Sequence, residues 1–437
     1  MYGGFGGNET SRTDRQPSTY VTVISGMEYY GYVAVYGADD ATLDGFTVTG
    51  GHPGMRNVDC TPRVSNCAFV RNGLIDDWYG GAMRNDHASP EITDCTFADN
   101  AASEGGAIWS EAGLPTLANC TFTGNTACDG GALFNVMSSP SITSCTFTGN
   151  TALEGGAIAD FLESSPVLTK CAFTDNGAVT GGAISNYMFC SPSFTNCLFV
   201  RNTASLFGGA MWCYDMCSPS FTNCTFTKNT ASGGGAVYDD ALGEFTFSNC
   251  IFWADQPNEI DHDPWFPTTI TVQYSCVEGG YEGEGNIDAA PLFVDTAGGN
   301  FRLDAASPCI DAGRLVADVT EDFEGDARGF DGTSEPRGDG SDYDMGADEF
   351  VPPHSADTDQ DRCISVREIS RVIAFYNAGA YHIDETTQDG YAPFDGPQDG
   401  APHDSDYTPQ DWAISIPEIS RLVTFYNAGG YPDSSPV

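Results

Sequence analysis

Lysine is nearly absent from this sequence: Lys170 and Lys228 are the only two in 437 residues. Against 17 Lys+Arg stand 61 Asp+Glu, a formal net charge of −44. So acidic a surface repels phosphate backbones, which argues against nucleic acid as a partner. Cations are its natural counterpart, and a saline or calcium-rich exterior its natural setting. No run reaches the ~18–20 apolar residues of a membrane-crossing helix, so no membrane span is expected. No signal peptide begins at Met1. The first residues read as a coil entered mid-motif, so an upstream leader is expected. The six histidines are scattered, and no Ser-His-Asp or nucleotide motif can be assembled. The 16 cysteines include no C-x-x-C pair, which argues against a zinc knuckle. What is present is enough apolar material, 41% of the chain with 12% aromatics, for a packed interior.

That material repeats. Between residues 64 and 255 a unit recurs, S-P-x-Φ-T-x-C-T-F-T-x-N-T-A-x-x-G-G-A-Φ, with Φ apolar. Its cysteines are Cys67, Cys95, Cys120, Cys145, Cys171, Cys197, Cys224, Cys250 and then Cys276, at intervals of 28, 25, 25, 26, 26, 27, 26 and 26 residues. A period in the twenties signals a solenoid whose units bury a core only by stacking. Cys and Phe alternate with Thr in C-T-F-T, the period of a strand with one buried face. An apolar residue also sits three before each Cys (Val64, Ile92, Leu117, Ile142, Leu168, Phe194, Phe221, Phe247). Three is odd, so a corner must intervene, at pairs such as Thr222-Asn223. F-x-x-N marks a second corner, and G-G-A-Φ opens another strand. Short strands joined by corners describe a parallel β-helix with coils ~4.8 Å apart, right-handed like nearly all such crossovers.

G-G-A-[ILVM] with F-x-x-N resembles right-handed parallel β-helix repeat proteins, including the polymorphic outer-membrane protein passengers. The resemblance covers roughly residues 20 to 280. It implies the fold and little about function, since the same scaffold carries lyases, hydrolases, adhesins and stalks. The expected fold is therefore all-β: a right-handed single-stranded parallel β-helix over 1–285, a C-terminal cap over 286–352, and a small α-helical calcium-loop domain over 353–437.

The nine ladder cysteines should face inward as small apolar residues. Cys190 and Cys217 both precede S-P-S-F in successive coils, within reach of a disulfide, although Cys213 competes for the same partner. Residues 286 to 350 break the repeat. Pro291-Leu292-Phe293, Leu303, Ser307-Pro308, Ile310-Asp311-Ala312-Gly313 and Asp344-Met345-Gly346-Ala347 resemble the choice-of-anchor Q module, expected here to cover the open end of the last coil. Asp322, Asp326, Asp331, Asp339 and Asp342 in it either hold a cation or form a solvated loop.

Residues 354 to 437 hold a second repeat. Asp357, Asp359, Asp361, the Cys363 carbonyl, Ser365 and Glu368 fall at positions 1, 3, 5, 7, 9 and 12 of an EF-hand loop, oxygen ligands suited to calcium. Arg362 stands where glycine is usual. The second copy, with one inserted residue, offers Asp406, Thr408, Asp411, the Ala413 carbonyl, Ser415 and Glu418. A helix from about Val366 should end near Gly379. The paired loop-helix resembles a dockerin, which implies a cohesin-like or cell-surface docking partner.

Two outward columns carry the candidate chemistry. Before G-G-A, Glu104, Asp129 and Glu154 occupy consecutive coils, where like charges splay, share a proton or hold a cation. Two residues after the Ala come Arg84, Trp109, Phe134, Ala159, Ser185, Trp212 and Tyr238. The rings Trp109, Phe134, Trp212 and Tyr238, if displayed, suit stacking on a surface glycan or other polysaccharide. Two functions follow: an extracellular or cell-surface rod, adhesive, glycan-binding or structural, docked through calcium loops; or a pectate-lyase-like polysaccharide lyase or hydrolase. The enzyme would use Glu104, Asp129 and Glu154 for calcium and Arg84 as base. The even repeats favour the rod.

Overall fold

The structure is a computed structural model. It describes the chain except residues 5–10, 12–13, 27–31, 77, 241, 267, 334–336, 352–355, 357–364, 379, 384–390, 394–402, 404, 407–412 and 429–437. It divides into Met1–Phe350 and Val351–Val437.

The first unit is a solenoid of three parallel sheets. One has 11 strands, from Thr22–Ser25 to Cys276–Val277, and contains every C-T-F-T segment. A second, of 10 strands, runs from Val35–Tyr36 to Ile260–His262 and contains the strands after G-G-A. The third, also of 10, runs from Thr42–Asp44 to Thr269–Gln273. Equivalent positions pair coil to coil, as in Thr121↔Thr146, Phe122↔Phe147 and Thr123↔Thr148. We call these the phenylalanine sheet, the glycine-exit sheet and the third sheet.

Sequence spacing and structure agree at the corners. The residue before each ladder Cys from Cys67 to Cys250 is left-handed, with φ of 50° at Asn66, 55° at Asn119 and 52° at Asn223. This turn lets Ile142 and Cys145 both face inward despite their odd separation. The nine ladder cysteines are buried, and Cys120 N–H meets Cys145 Sγ at 3.4 Å. Phe69, Phe97, Phe122, Phe147, Phe173, Phe199, Phe226 and Phe252 form one continuous stack with centroids 4.6–5.1 Å apart. Burying each ring contributes about 2–3 kcal/mol. Both glycines of G-G-A are required. Gly130 has φ +64°, and a Cβ on Gly131 would lie 2.1 Å from the Gly156 carbonyl.

Two polar columns run inside. The F-x-x-N asparagines form a ladder from Asn72 to Asn229 in which each Nδ2 donates to the next Oδ1, as from Asn125 to Asn150 (2.9 Å) and Asn150 to Asn176 (3.0 Å). The second column, on the glycine-exit sheet, is Asn57, Asn85, Ser110, Asn135, Asp160, Asn186, Cys213 and Asp239, in register and buried.

Residues 286–350 pack against the last coil and the flank of the solenoid. Asn286 closes the last coil, accepting from Ser275 N–H (3.0 Å) and donating to the Val272 carbonyl (2.9 Å). The segment then returns along the flank. Ala347 N–H donates to Thr225 Oγ1 (3.0 Å), Arg328 Nη2 to Asn196 Oδ1 (3.0 Å), and Lys170 pairs with Glu321 (2.8 Å). The buried Arg328 also donates to the Gly346 and Ala347 carbonyls, both at 2.9 Å. This buttress buries Thr225, while Thr96 and Thr146, its counterparts in earlier coils, stay exposed.

The second unit has α1 (Val366–Ala378), α2 (Ile416–Ala428) and an antiparallel pair, Tyr381–Ile383 with Tyr391–Pro393. Ile369, Val372, Phe375, Tyr381, Ile414 and Leu422 form its core.

Candidate functional site

The segments preceding G-G-A form a wing beside the outer face of the glycine-exit sheet. Tyr79, Glu104, Asp129, Glu154 and Thr180 bridge in sequence along it, so the three carboxylates do occupy adjacent coils. Burial raises the affinity of all three for a proton; at Glu104 and Glu154 the charge of Asp129 adds to it, and a hydrogen bond from Trp109 opposes it at Glu104. That bond runs from Trp109 Nε1 to Glu104 Oε2 at 3.1 Å. The three do not converge on one point. Among the described residues, the group of three carboxylates whose oxygens all lie within 4.8 Å of one another is Asp322, Glu324 and Asp348 in the buttress. Asp322 there is chiefly a backbone organiser, accepting from Gly325 and Asp326 N–H (both 2.8 Å) and Glu349 N–H (2.9 Å). Asp326, Asp331, Asp339 and Asp342 are outside that group of three.

Arg84 is committed elsewhere. Its Nη2 is 2.6 Å from Asp86, and its guanidinium lies 4.9 Å from the Tyr79 ring centroid and 5.3 Å from that of Trp109. It is held as a structural cation, which removes the reason to cast it as a base.

The expected display of rings is corrected by their burial. Trp109 is 4% exposed, Phe134 9%, Trp212 7% and Tyr238 8%. The wing folds over them, setting Tyr79 4.5 Å from Trp109 and Phe207 4.4 Å from Tyr238. The more accessible rings lie two residues further on: Phe161, Tyr187 and Tyr214, with centroids 5.4 and 5.0 Å apart. They are legible four places after each G-G-A alanine, a column the sequence reading passed over. Because they stack on one another, the middle ring has neighbours on both faces and presents an edge.

The turn after these rings explains Cys190 and Cys217. Met188-Phe189 and Asp215-Met216 are tandem left-handed residues. Each turn is held by a thiol donating to the ring residue's carbonyl, Cys190 to Tyr187 and Cys217 to Tyr214, both at 3.2 Å. In the preceding coil Ser164 Oγ does the same for Phe161 at 2.8 Å. The two coils are adjacent, and in this structure no bond joins the two sulfurs. Cys213 belongs to the second polar column, accepting from Asn186 Nδ2 at 3.4 Å.

In the C-terminal unit Asp357, Asp359, Asp361, Cys363, Thr408 and Asp411 lie outside the described residues. Of the remaining loop positions, Ser365 and Glu368 form a reciprocal helix cap. Ser365 N–H donates to Glu368 Oε2 (2.7 Å) and Glu368 N–H to Ser365 Oγ (3.3 Å). Ser415 N–H donates likewise to Glu418 Oε2 (2.6 Å). The S-x-x-E spacing thus has a capping role that the loop reading missed. Asp406 is buried and accepts the Tyr381 hydroxyl at 2.7 Å; Ala413 is half-buried.

No curated protein matches the chain. The family described as right handed beta helix region matches residues 82–252, the stretch with the most regular wing, ladders and sheets. By that match and by its three-sheet parallel stack, the N-terminal solenoid is a right-handed parallel β-helix.

Proposed function

We propose that this chain is a secreted or cell-surface β-helix protein whose solenoid is a structural or adhesive rod. Its C-terminal unit would attach it, through calcium loops, to a cohesin-like or cell-surface docking partner. The state of the two outward columns carries this reading. The carboxylates do not converge, Arg84 is bound by Asp86, and the flat rings are roofed by the wing. A polysaccharide lyase needs a gathered cation site and an available base. Glycan contact, on this reading, falls to the edges of Phe161, Tyr187 and Tyr214.

The test presents acidic and neutral polysaccharides to the full chain and follows both retention and release of unsaturated ends. Retention without product is expected. Product formation abolished by Asp129→Asn would replace the rod with the lyase. For the attachment module, Glu368→Gln keeps the helix cap, since Gln serves in that role, but removes a carboxylate. Calorimetry should show weaker calcium binding with unchanged helix content; unchanged binding would leave Glu368 a cap alone.

A further inference from the structure

The asparagine ladder does not end on an asparagine. Along its length each Oδ1 accepts the N–H and Nδ2 of the rung before, and each Nδ2 also donates to a carbonyl further back, as Asn202 to Phe173 and Asn229 to Phe199, both at 2.9 Å. The next rung is Asp255. Its Oδ1 accepts from Asn229 N–H (2.6 Å) and Nδ2 (2.8 Å), as an asparagine would. Its Oδ2 stands where the ladder calls for a donor, and has no hydrogen-bond partner. Glu259 folds back beside it. Glu259 Oε1 accepts Asp255 N–H at 3.3 Å, and Oε2 is also unpartnered. Asp255 is 4% exposed and Glu259 6%. The charged group facing them is a third carboxylate, Glu278, whose Oε2 accepts Ala254 N–H at 2.8 Å.

Two ionised carboxylates in this place would be buried together, beside a third negative charge. Close buried carboxyls cannot both ionise at ordinary pH. A single proton removes one charge and turns an orphan oxygen into the donor the ladder lacks. We propose that Asp255 and Glu259 share one proton, and that this proton forms the last rung of the ladder. Burial, first, and the negative charge of Glu278 push both groups towards the protonated form; Asp255 adds to this at Glu259, while at Asp255 the contacts with Glu259 and Asn229 oppose it.

The coil concerned also anchors the buttress. Ile251 and Trp253 pack with Leu303, Ile310 and Met345. The folded pair binds more protons than the unfolded chain. Its stabilisation is therefore complete below the ordinary carboxyl range and is lost as pH rises through the raised native range. Alkaline pH should thus loosen the solenoid at the buttress anchor first.

Hydrogen exchange on the full chain, corrected for intrinsic rates, tests this at pH 6 and pH 9. Peptides covering 244–262 should lose protection by roughly tenfold or more, the equivalent of one pKa unit of differential protonation. Peptides covering 91–123 serve as the reference and should not. Asp255→Asn supplies a permanent Nδ2 donor and should abolish the difference. If that variant fails to fold, Glu259→Gln, which keeps the shape and removes the second charge, should do the same. Equal behaviour of the two regions in the native protein, or a pH effect that survives these substitutions, overturns the proposal. So does a chelator reproducing the loss at pH 6, because the oxygens would then hold a cation.

Discussion

The two polar columns inside the solenoid repeat with the same period yet differ in kind. In the corner ladder every rung from Asn72 to Asn229 is asparagine, and each has two docking points: the next rung and a strand carbonyl, such as Phe122 O for Asn150. In the glycine-exit column the side chains have chiefly one another, and the residue type wanders through Asn, Ser, Asp and Cys. Asn57 Oδ1, Asp160 Oδ2 and Asn186 Oδ1 in it lack partners. The difference teaches that a fixed backbone acceptor, rather than burial, demands one residue type. At a corner the exposed carbonyl imposes an amide. Along a strand the carbonyls are spent in the sheet, and neighbours can accommodate a change.

The comparison can be broken most forcefully at Asn150. Asn150→Leu strands Asn125 N–H and one N–H of Asn125 Nδ2, and takes a donor from the Phe122 carbonyl and from Asn176 Oδ1, which keeps only the backbone N–H of residue 150. At about 1–3 kcal/mol for each of the two orphaned donors, urea unfolding should show a loss of about 4 kcal/mol. A loss under about 1 kcal/mol would mean the ladder is no more demanding than the other column.

A smaller effect of opposite sign is expected at Asp160. Burial pushes its carboxyl up to about 7 despite the Asn135 hydrogen bond. Its folded value exceeds the unfolded one, so stability is full at low pH and falls as pH rises towards 7, by about 1.4 kcal/mol per unit. Asp160→Asn should raise stability by about 2–4 kcal/mol at pH 8 and leave it nearly unchanged at pH 4. A flat difference between the two pH values would show that Asp160 is not the titrating rung.

The smallest change should come from Ser110→Ala. It removes the acceptor of Asn85 Nδ2 (3.1 Å), and a cost near about 1 kcal/mol is expected. A cost matching that of Asn150→Leu would erase the distinction between the columns.

Much of this fold was legible in the sequence because its signals are local and periodic. The odd separation of Ile142 and Cys145 called for a corner, and Ser144 supplies it with φ of 51°. The G-G-A and F-x-x-N motifs marked strand starts and turns for steric and hydrogen-bonding reasons that act within a coil or between adjacent ones. The return of residues 286–350 along the flank was not legible, since no period relates Arg328 to Asn196. Nor was the burial of Trp109, which depends on how the wing folds over it and on Glu104 reaching back to its indole. The carboxylate column was placed in the right coils, but its failure to converge turns on side-chain direction, which spacing leaves open.

The buttress also has a mechanical consequence. A stack in which each coil grips only its neighbours should yield to tension like a zipper, one coil at a time. Each release of ~25 residues would pay out about 85 Å of extended chain. Residues 289–350 span from Lys170 to Cys276 and so clasp several coils to a common strap. Under an axial load the N-terminal coils should therefore extend in small even steps, while the strapped coils hold and then give way together. The solenoid would have a compliant end and a stiff one.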